Sequence, residues 1–461
     1  MLNILSSIAD FVSAIVFYEI FGFPILVLWL LSAGLFLSFK LKFPNIKLMK
    51  HGVLTAFKNQ YYSNKDIGII TPRQALFTSI SGTVGMGNIA GVAIAIKLGG
   101  PGAVIWMMII AFFAMNTVFA EAILSQKYRE VDNNGKITGG PFAYLKNGLS
   151  ELGYNKLGLW LSVIYAFILI FSAFGTTVFQ VNQAVSNISS YKIFNGCELI
   201  FGAIFALFGI YILFSGAKTI GKIIDKIVPL MAILYLICAI IIVSIHYKNI
   251  PSSFLLMIQD AFGIKKVVAG FLGALIMGVK RAGYSNEAGL GTTSISHALA
   301  KTSEPVREGA VACITPMIDT MFFCCLTALM IISTNSYTLD LDGVLMTKEA
   351  FLTVSSWFPI LLSCSVVLFV LSNMMAYSFY GQSAFNSITK NRFTIIYNIL
   401  FGIVIFTSSI ADINTIVKIA DAFVLSLSIP NLIGVFMMSN IIKNEIELYI
   451  YKLHNNKFKN T

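Results

Sequence analysis

The chain has 461 residues, of which 57% are hydrophobic and 11% charged, and its mean hydropathy is +0.81. Soluble domains carry about 25% charged side chains, so the apolar surplus must face lipid, and the same surplus excludes a disordered chain. The formal net charge of +11 would suit nucleic acid only if the bases formed a patch on one folded face. Instead they are spread over short connections between apolar runs, so no nucleic-acid partner is expected.

A membrane-spanning helix needs about 20 mostly apolar residues to cross roughly 30 Å of hydrocarbon. Eleven segments meet that test, near 19–39, 74–97, 102–126, 157–188, 195–214, 224–246, 267–290, 307–334, 357–389, 393–410 and 415–441. No basic stretch precedes the first, which is the expectation of a retained span and not of a cleaved signal. With eleven spans, 25 of the 32 Lys and Arg fall on one side and seven on the other. Basic loops stay cytoplasmic, so the amino terminus is expected outside, the carboxyl terminus inside, and the protein in the cell (plasma) membrane. The connections 40–73 and 127–156 are too short to bury cores of their own.

Span 74–97 has no charge between its ends, yet its centre reads Ser81-Gly82-Thr83-Val84-Gly85-Met86-Gly87-Asn88-Ile89-Ala90-Gly91. Glycine is costly within a helix, and polar groups in hydrocarbon need partners. The stretch is either unwound or a small-residue face that lets a neighbouring helix approach. A second such stretch, Gly278 to Gly291, ends span 267–290. With the first span set aside as an extra, each stretch opens a set of five spans, and five is odd, so the sets run in opposite directions. Matching interruptions in two inverted halves point to a transporter's central site. The expected architecture is therefore an all-α polytopic membrane protein. It comprises 1–72 as an extra helix with a basic loop, 73–246 and 247–442 as inverted five-helix repeats, and 443–461 as a tail.

Unwinding bares N–H groups at one half-helix and C=O groups at the other. The first set attracts a substrate carboxylate, and the second can ligate Na+. Nothing else in the chain competes with this reading. The six cysteines lie in or beside apolar runs without C-x-x-C spacing, and the four histidines make no metal motif. No nucleophile, base and orienting group stand together as an enzyme requires.

These residues resemble the alanine or glycine:cation symporter family. The matching stretches are Gly82-Thr83-Val84-Gly85, Gly87-Asn88-Ile89-Ala90-Gly91, Leu98-Gly99-Gly100-Pro101-Gly102-Ala103, Lys127-Tyr128-Arg129-Glu130, Gly139-Gly140-Pro141, Lys280-Arg281, Ser285-Asn286-Glu287-Ala288-Gly289-Leu290-Gly291, Asp319-Thr320 and Ile429-Pro430-Asn431-Leu432-Ile433, in the family's order. The resemblance implies a leucine-transporter-type fold and import of a small neutral amino acid, alanine or glycine foremost, with Na+ as coupling ion. It further implies that the amides of Met86 and Gly87 hold the substrate carboxylate, with Thr83 and Asn88 shaping the stretch. Gln180 would meet the amino group, and Phe271 and Tyr377 would be pocket walls. Ser81 and Val84 would offer carbonyls to Na+, with Ser372 and Asn373 completing that site.

The chain departs from the family's pattern at Met86, Tyr377 and Asn373, where threonine, tryptophan and a hydroxyl residue are usual. A thioether beside the carboxylate changes the room for substrate, and Asn373 supplies an amide oxygen to the cation. Among the isolated charges, Glu121 is either an interfacial side chain or an acceptor tying the unwound backbones together. Asp319 is a paired structural or gating group or an ion ligand, and Arg281 with Glu287 forms an inner gate or a plain anchor. Asp421 is expected to mark the outer end of its helix. A channel or a transport-inactive amino-acid sensor on the same scaffold is the alternative function. No residue pattern assigns an oligomeric state.

Overall fold

A computed structural model describes residues 13–20, 22–58, 67–132, 137–263, 270–390 and 392–455. Each of the eleven apolar segments contains helix, but their lengths are unequal. Among the described residues six helices are long and apolar enough to cross a membrane alone, and up to eight spans result if each of two bent pairs counts as one. Glu198–Leu213 and Thr394–Ser408 are shorter apolar helices, and Gly270–Asn286 has 17 residues. Length and composition alone thus leave the count of eleven spans unconfirmed. The start of the seventh segment, 267–269, lies outside the described residues, as do Lys65, Lys136, Lys265, Lys266, Lys457 and Lys459 of the loop tally.

The connections carry secondary structure of their own. The first segment begins with a small hairpin, Glu19–Ile20 against Phe23–Pro24, before its helix Ile25–Lys40. The 40–73 connection holds the helix Pro44–Lys58, turned by 83° from the helix before it. The 127–156 connection holds a second hairpin, Glu130–Val131 with Ile137–Thr138, and the helix Pro141–Glu151.

The 35-residue helix Asn155–Ser189 is the central post, packed along Pro359–Thr389 and Ile413–Ser426. Ala103–Lys127 packs against Gly270–Asn286, Pro305–Ala312 and Ile25–Lys40. Buried tyrosines, among them Tyr144, Tyr165, Tyr235 and Tyr377, fill the space between these layers. Each carries a hydroxyl that needs a partner when buried.

The first interruption is narrower than its glycine content suggests. Thr71 and Gln74 form a capping box with Pro72 at the first helical turn, starting the helix Pro72–Thr83. Ser81 to Thr83 remain helical, Val84 turns extended with ψ 104°, and Gly87–Gly91 resumes as a π-helix. The two halves meet at 51°.

The second interruption lies later than expected. The helix runs unbroken through Gly278 and Gly283 to Asn286, and the chain then crosses Glu287 to Gly291 before the helix Thr292–Ala298. The glycines divide by task. A Cβ on Gly278 would stand 2.5 Å from Trp106 Cβ, so this glycine permits close helix packing, the small-residue reading. Gly289 and Gly291 have φ of +85° and +78° and make the break itself. Lys280 and Arg281 are inside this helix, and Arg281 is buried.

Candidate functional site at the two breaks

The oxygen-rich side of the first break faces the helix Pro359–Thr389. Ser81 Oγ donates to the Ser372 carbonyl at 2.6 Å, and Asn373 Nδ2 donates to the Gly82 carbonyl at 2.5 Å. Asn373 is fully buried, and its Oδ1 has no hydrogen-bond partner among the described residues. An amide oxygen buried without a donor carries a desolvation cost, which a small hard cation would relieve. Ser372 Oγ donates to the Phe369 carbonyl at 3.0 Å. Thr83 and Val84 are buried beside this pair, and Val84 N–H still donates to the Ile80 carbonyl at 2.7 Å. Of the sequence-derived cation residues, Ser81 meets Ser372 directly and Asn373 meets the neighbouring Gly82, while Val84 follows at the end of the helix Pro72–Thr83.

The amide-rich side is arranged differently from expectation. Met86 N–H donates to Gln180 Oε1 at 2.9 Å, and Gly85 N–H donates to Asn88 Oδ1 at 2.9 Å. Gln180, assigned to a substrate amino group, is thus occupied with the backbone amide assigned to the carboxylate. Gly87 has room for a methyl group and little more, since an added Cβ would stand in ordinary contact with Tyr284 Cδ1 at 3.7 Å and Ser285 Cα at 3.8 Å. Asn88 also donates through Nδ2 to Asp319 Oδ1 at 2.5 Å, and Asp319 accepts from Ser285 Oγ at 2.7 Å and Thr320 Oγ1 at 2.8 Å. Asp319 sits on a π-helical turn, Met317–Cys324, and joins both breaks through neutral donors.

The second break has its own carboxylates. Glu287, at φ 56°, accepts from Tyr377 Oη and Thr292 Oγ1. A non-glycine residue in the left-handed region is strained, and such strain concentrates at functional sites. Glu121 is buried and accepts from Asn431 Nδ2 at 2.6 Å, which also donates to the Gly289 carbonyl at 2.7 Å. Tyr165 Oη donates to the Leu290 carbonyl at 2.8 Å, so the central post holds the break from the other side.

Three sequence-derived assignments are corrected. Phe271 is 40% exposed and stands edge-on to Trp106 at 5.7 Å, so it packs at the rim and lines no central space. Arg281 does not meet Glu287. It donates to Asp421, which also lies 3.2 Å from Lys280, making a buried cluster between Gly270–Asn286 and Ile413–Ser426. Asp421 is thus buried, not a marker of a helix end. Sequence reasoning missed this acid, Asn431 and Ser285 as partners, although a charge within an apolar run is itself a signal.

Comparison with known proteins decides what this arrangement belongs to. The profile of the sodium:alanine symporter family matches residues 4–461. The chain belongs to that family. It is 34% identical over 458 residues to the sodium/alanine symporter AgcS of Methanococcus maripaludis, covering 98% of this chain and 100% of that one. It is 32% identical over 430 residues to the probable sodium/glutamine symporter GlnT of Bacillus subtilis, covering 92% and 87%. Its structure superposes on MhsT in complex with L-phenylalanine with a TM-score of 0.55 at 12% identity, covering 84% of this chain and 99% of that one. The fold is that of the leucine-transporter type. This family member is therefore a multi-pass membrane carrier that couples an amino acid to Na+, and not an enzyme.

Proposed function

We propose that the chain imports one small neutral amino acid, with alanine or glycine as the leading candidates, together with Na+ by alternating access. The observation that carries this is the unpartnered Oδ1 of Asn373 beside the first break. In this reading Asn373, Ser372 and the backbone at Ser81 and Val84 hold Na+. The carboxylate is held at Met86 and Gly87, with Thr83 and Asn88 setting the backbone and Tyr377 closing the pocket. Gln180 occupies the Met86 amide until substrate replaces it. Glu121, Asp319 and Glu287 hold the breaks in shape, and the Arg281 and Asp421 pair is the charge contact that gates.

Asymmetric closure favours alternating access. On one side the helix Val344–Leu352 seats against the first break, with Thr347 Oγ1 3.3 Å from the Ile89 carbonyl and Val344 N–H donating to Gln183 at 3.2 Å. On the other side a cavity of about 500 Å³ opens between Thr138, Ile295, Leu299, Ser378, Gln382 and Asn386. The basic loops favour a cytoplasmic position for that open side, with the amino terminus outside and the repeats at 73–246 and 247–442.

Relatives named for alanine and for glutamine stand at similar identity, 34% and 32%. The experiment is therefore a competition in proteoliposomes. Labelled alanine should accumulate above equilibrium under an inward Na+ gradient, with glycine as a strong competitor and glutamine a weak one. Equilibration without accumulation would indicate a channel, and no uptake of any neutral amino acid would overturn the assignment.

A further inference from the structure

The amino-terminal helix and the carboxyl-terminal helix meet at a feature that transport does not use. After Ile25–Lys40 the chain turns through 83° at Lys42 and Phe43, both non-glycine residues with left-handed φ of 62° and 55°. The helix Pro44–Lys58 that follows has two opposed faces. Leu48, His51, Gly52, Thr55 and Ala56 are buried, and a Cβ on Gly52 would collide with the Ala310 carbonyl oxygen, so the helix is pressed against Pro305–Ala312. Ile46, Lys50, Val53 and Phe57 form the opposite stripe, with Ile46 64% and Phe57 52% exposed. An apolar stripe with basic flanks, on a helix nearly perpendicular to a span, is the pattern of a segment lying in the membrane interface.

A groove of about 330 Å³ opens between this turn and the helix Ser439–His454. Lys40, Lys42 and Lys47 stand on one wall and Lys443 on the other, over a floor that includes Leu48 and Ile450. One acid, Glu447, also lines it, 3.8 Å from Lys443. Lys40, Lys42 and Lys47 form no ion pair among the described residues. The walls are fixed to each other, since the His51 ring lies 2.5 Å from Tyr449 Oη across the two helices. Basic loops alone explain lysines near a membrane, but not the convergence of Lys443 with lysines some 400 positions earlier in the chain on one apolar-floored groove.

We propose that this groove binds the headgroup of an anionic phospholipid, its phosphate among Lys40, Lys42, Lys47 and Lys443 and its acyl chains along the exposed apolar stripe. The lipid would bridge the amino-terminal extra helix and the carboxyl-terminal helix. Basic pockets of this kind between helices take acidic headgroups.

The test uses the full chain in phosphatidylcholine nanodiscs, with and without phosphatidylglycerol, read by thermal unfolding and by native mass spectrometry of bound lipid. Wild type should retain a phosphatidylglycerol and melt higher in its presence. Lys40→Gln/Lys42→Gln/Lys47→Gln should bind it about tenfold more weakly or worse, and Lys443→Gln, on the opposite wall, should weaken it independently of any folding defect in the triple variant. Lys222→Gln/Lys226→Gln, on another helix, should leave it unchanged. Equal lipid retention by wild type and both groove variants would overturn the site. An equal loss in the Lys222 and Lys226 control would replace it with general surface charge. Matching stabilisation by inorganic phosphate alone would replace the lipid with a free anion.

Discussion

Gln180 Oε1 accepts the Met86 amide hydrogen at 2.9 Å, across 94 positions of sequence, and so caps the backbone donor exposed by the first break. A carboxylate arriving at Met86 must displace it. Gln180→Ala is expected to strand a buried N–H at a cost of about 1–3 kcal/mol in the empty protein. Because substrate then supplies the missing acceptor, alanine should raise the melting temperature of the variant more than that of wild type. Thermal unfolding with and without alanine at saturating Na+ checks this, and an unchanged ligand increment would show that the Met86 amide is not a carboxylate donor.

Asn373 and Ser372 should separate in a sodium titration. Asn373→Ala removes the one buried oxygen of the pair that lacks a donor, whereas Ser372→Ala leaves the Ser372 carbonyl that accepts from Ser81. The half-saturating Na+ concentration for uptake should rise about tenfold in Asn373→Ala, equivalent to about 1.4 kcal/mol. Ser372→Ala should weaken sodium dependence by less, with maximal uptake retained. Curves that overlay wild type for both variants would remove this helix from the cation site.

Gly87 tests the room left for substrate. An alanine Cβ there would make only ordinary contacts, the nearest at 3.7 Å from Tyr284, so Gly87→Ala should fold and bind. Gly87→Leu should fold but lose the thermal shift caused by alanine, since its side chain fills the approach to the amide. Retained affinity in a folded Gly87→Leu would place the carboxylate elsewhere.

The cluster at Asp421 is unequal by construction, with two cations around one buried acid. Asp421→Leu strands both Arg281 and Lys280 and should cost about 3–5 kcal/mol, whereas Arg281→Met leaves Lys280 to pair and should cost less. The double variant Arg281→Met/Asp421→Leu should recover part of the loss. Chemical unfolding of the four proteins in one detergent checks the cycle, and strict additivity would mean that the two side chains do not interact.

Several of these relationships are legible in the sequence. Ser81 to Gly91 announced an interruption because glycine and polar side chains at mid-membrane depth conflict with a continuous span, and the chain does leave the helix there. The pairing of Ser372 and Asn373 with that stretch followed from resemblance to the family. Phe271 is not legible in this way, since an aromatic side chain reads the same in sequence whether it faces a pocket or Trp106 at the rim. Arg281 shows the same, because the sequence paired it with nearby Glu287 as a gate or left it a plain anchor, while the acid it meets lies 140 residues away at Asp421.

By itself the sequence determined what is set by solvent and by local backbone cost. The chain lives in lipid, its helices follow the apolar runs, and one of them carries a glycine-rich polar stretch from Ser81 to Gly91 that conflicts with a continuous span. Only the tertiary structure decided which polar groups answer one another across that lipid-embedded core. It paired Gln180 with Met86, Asn88 with Asp319, and Glu287 with Tyr377, placed the second break at Glu287–Gly291, and left Asn373 Oδ1 without a donor among the described residues. The reason is that hydropathy and glycine cost act on each residue alone, whereas a buried hydrogen bond depends on two side chains brought together from distant parts of the chain.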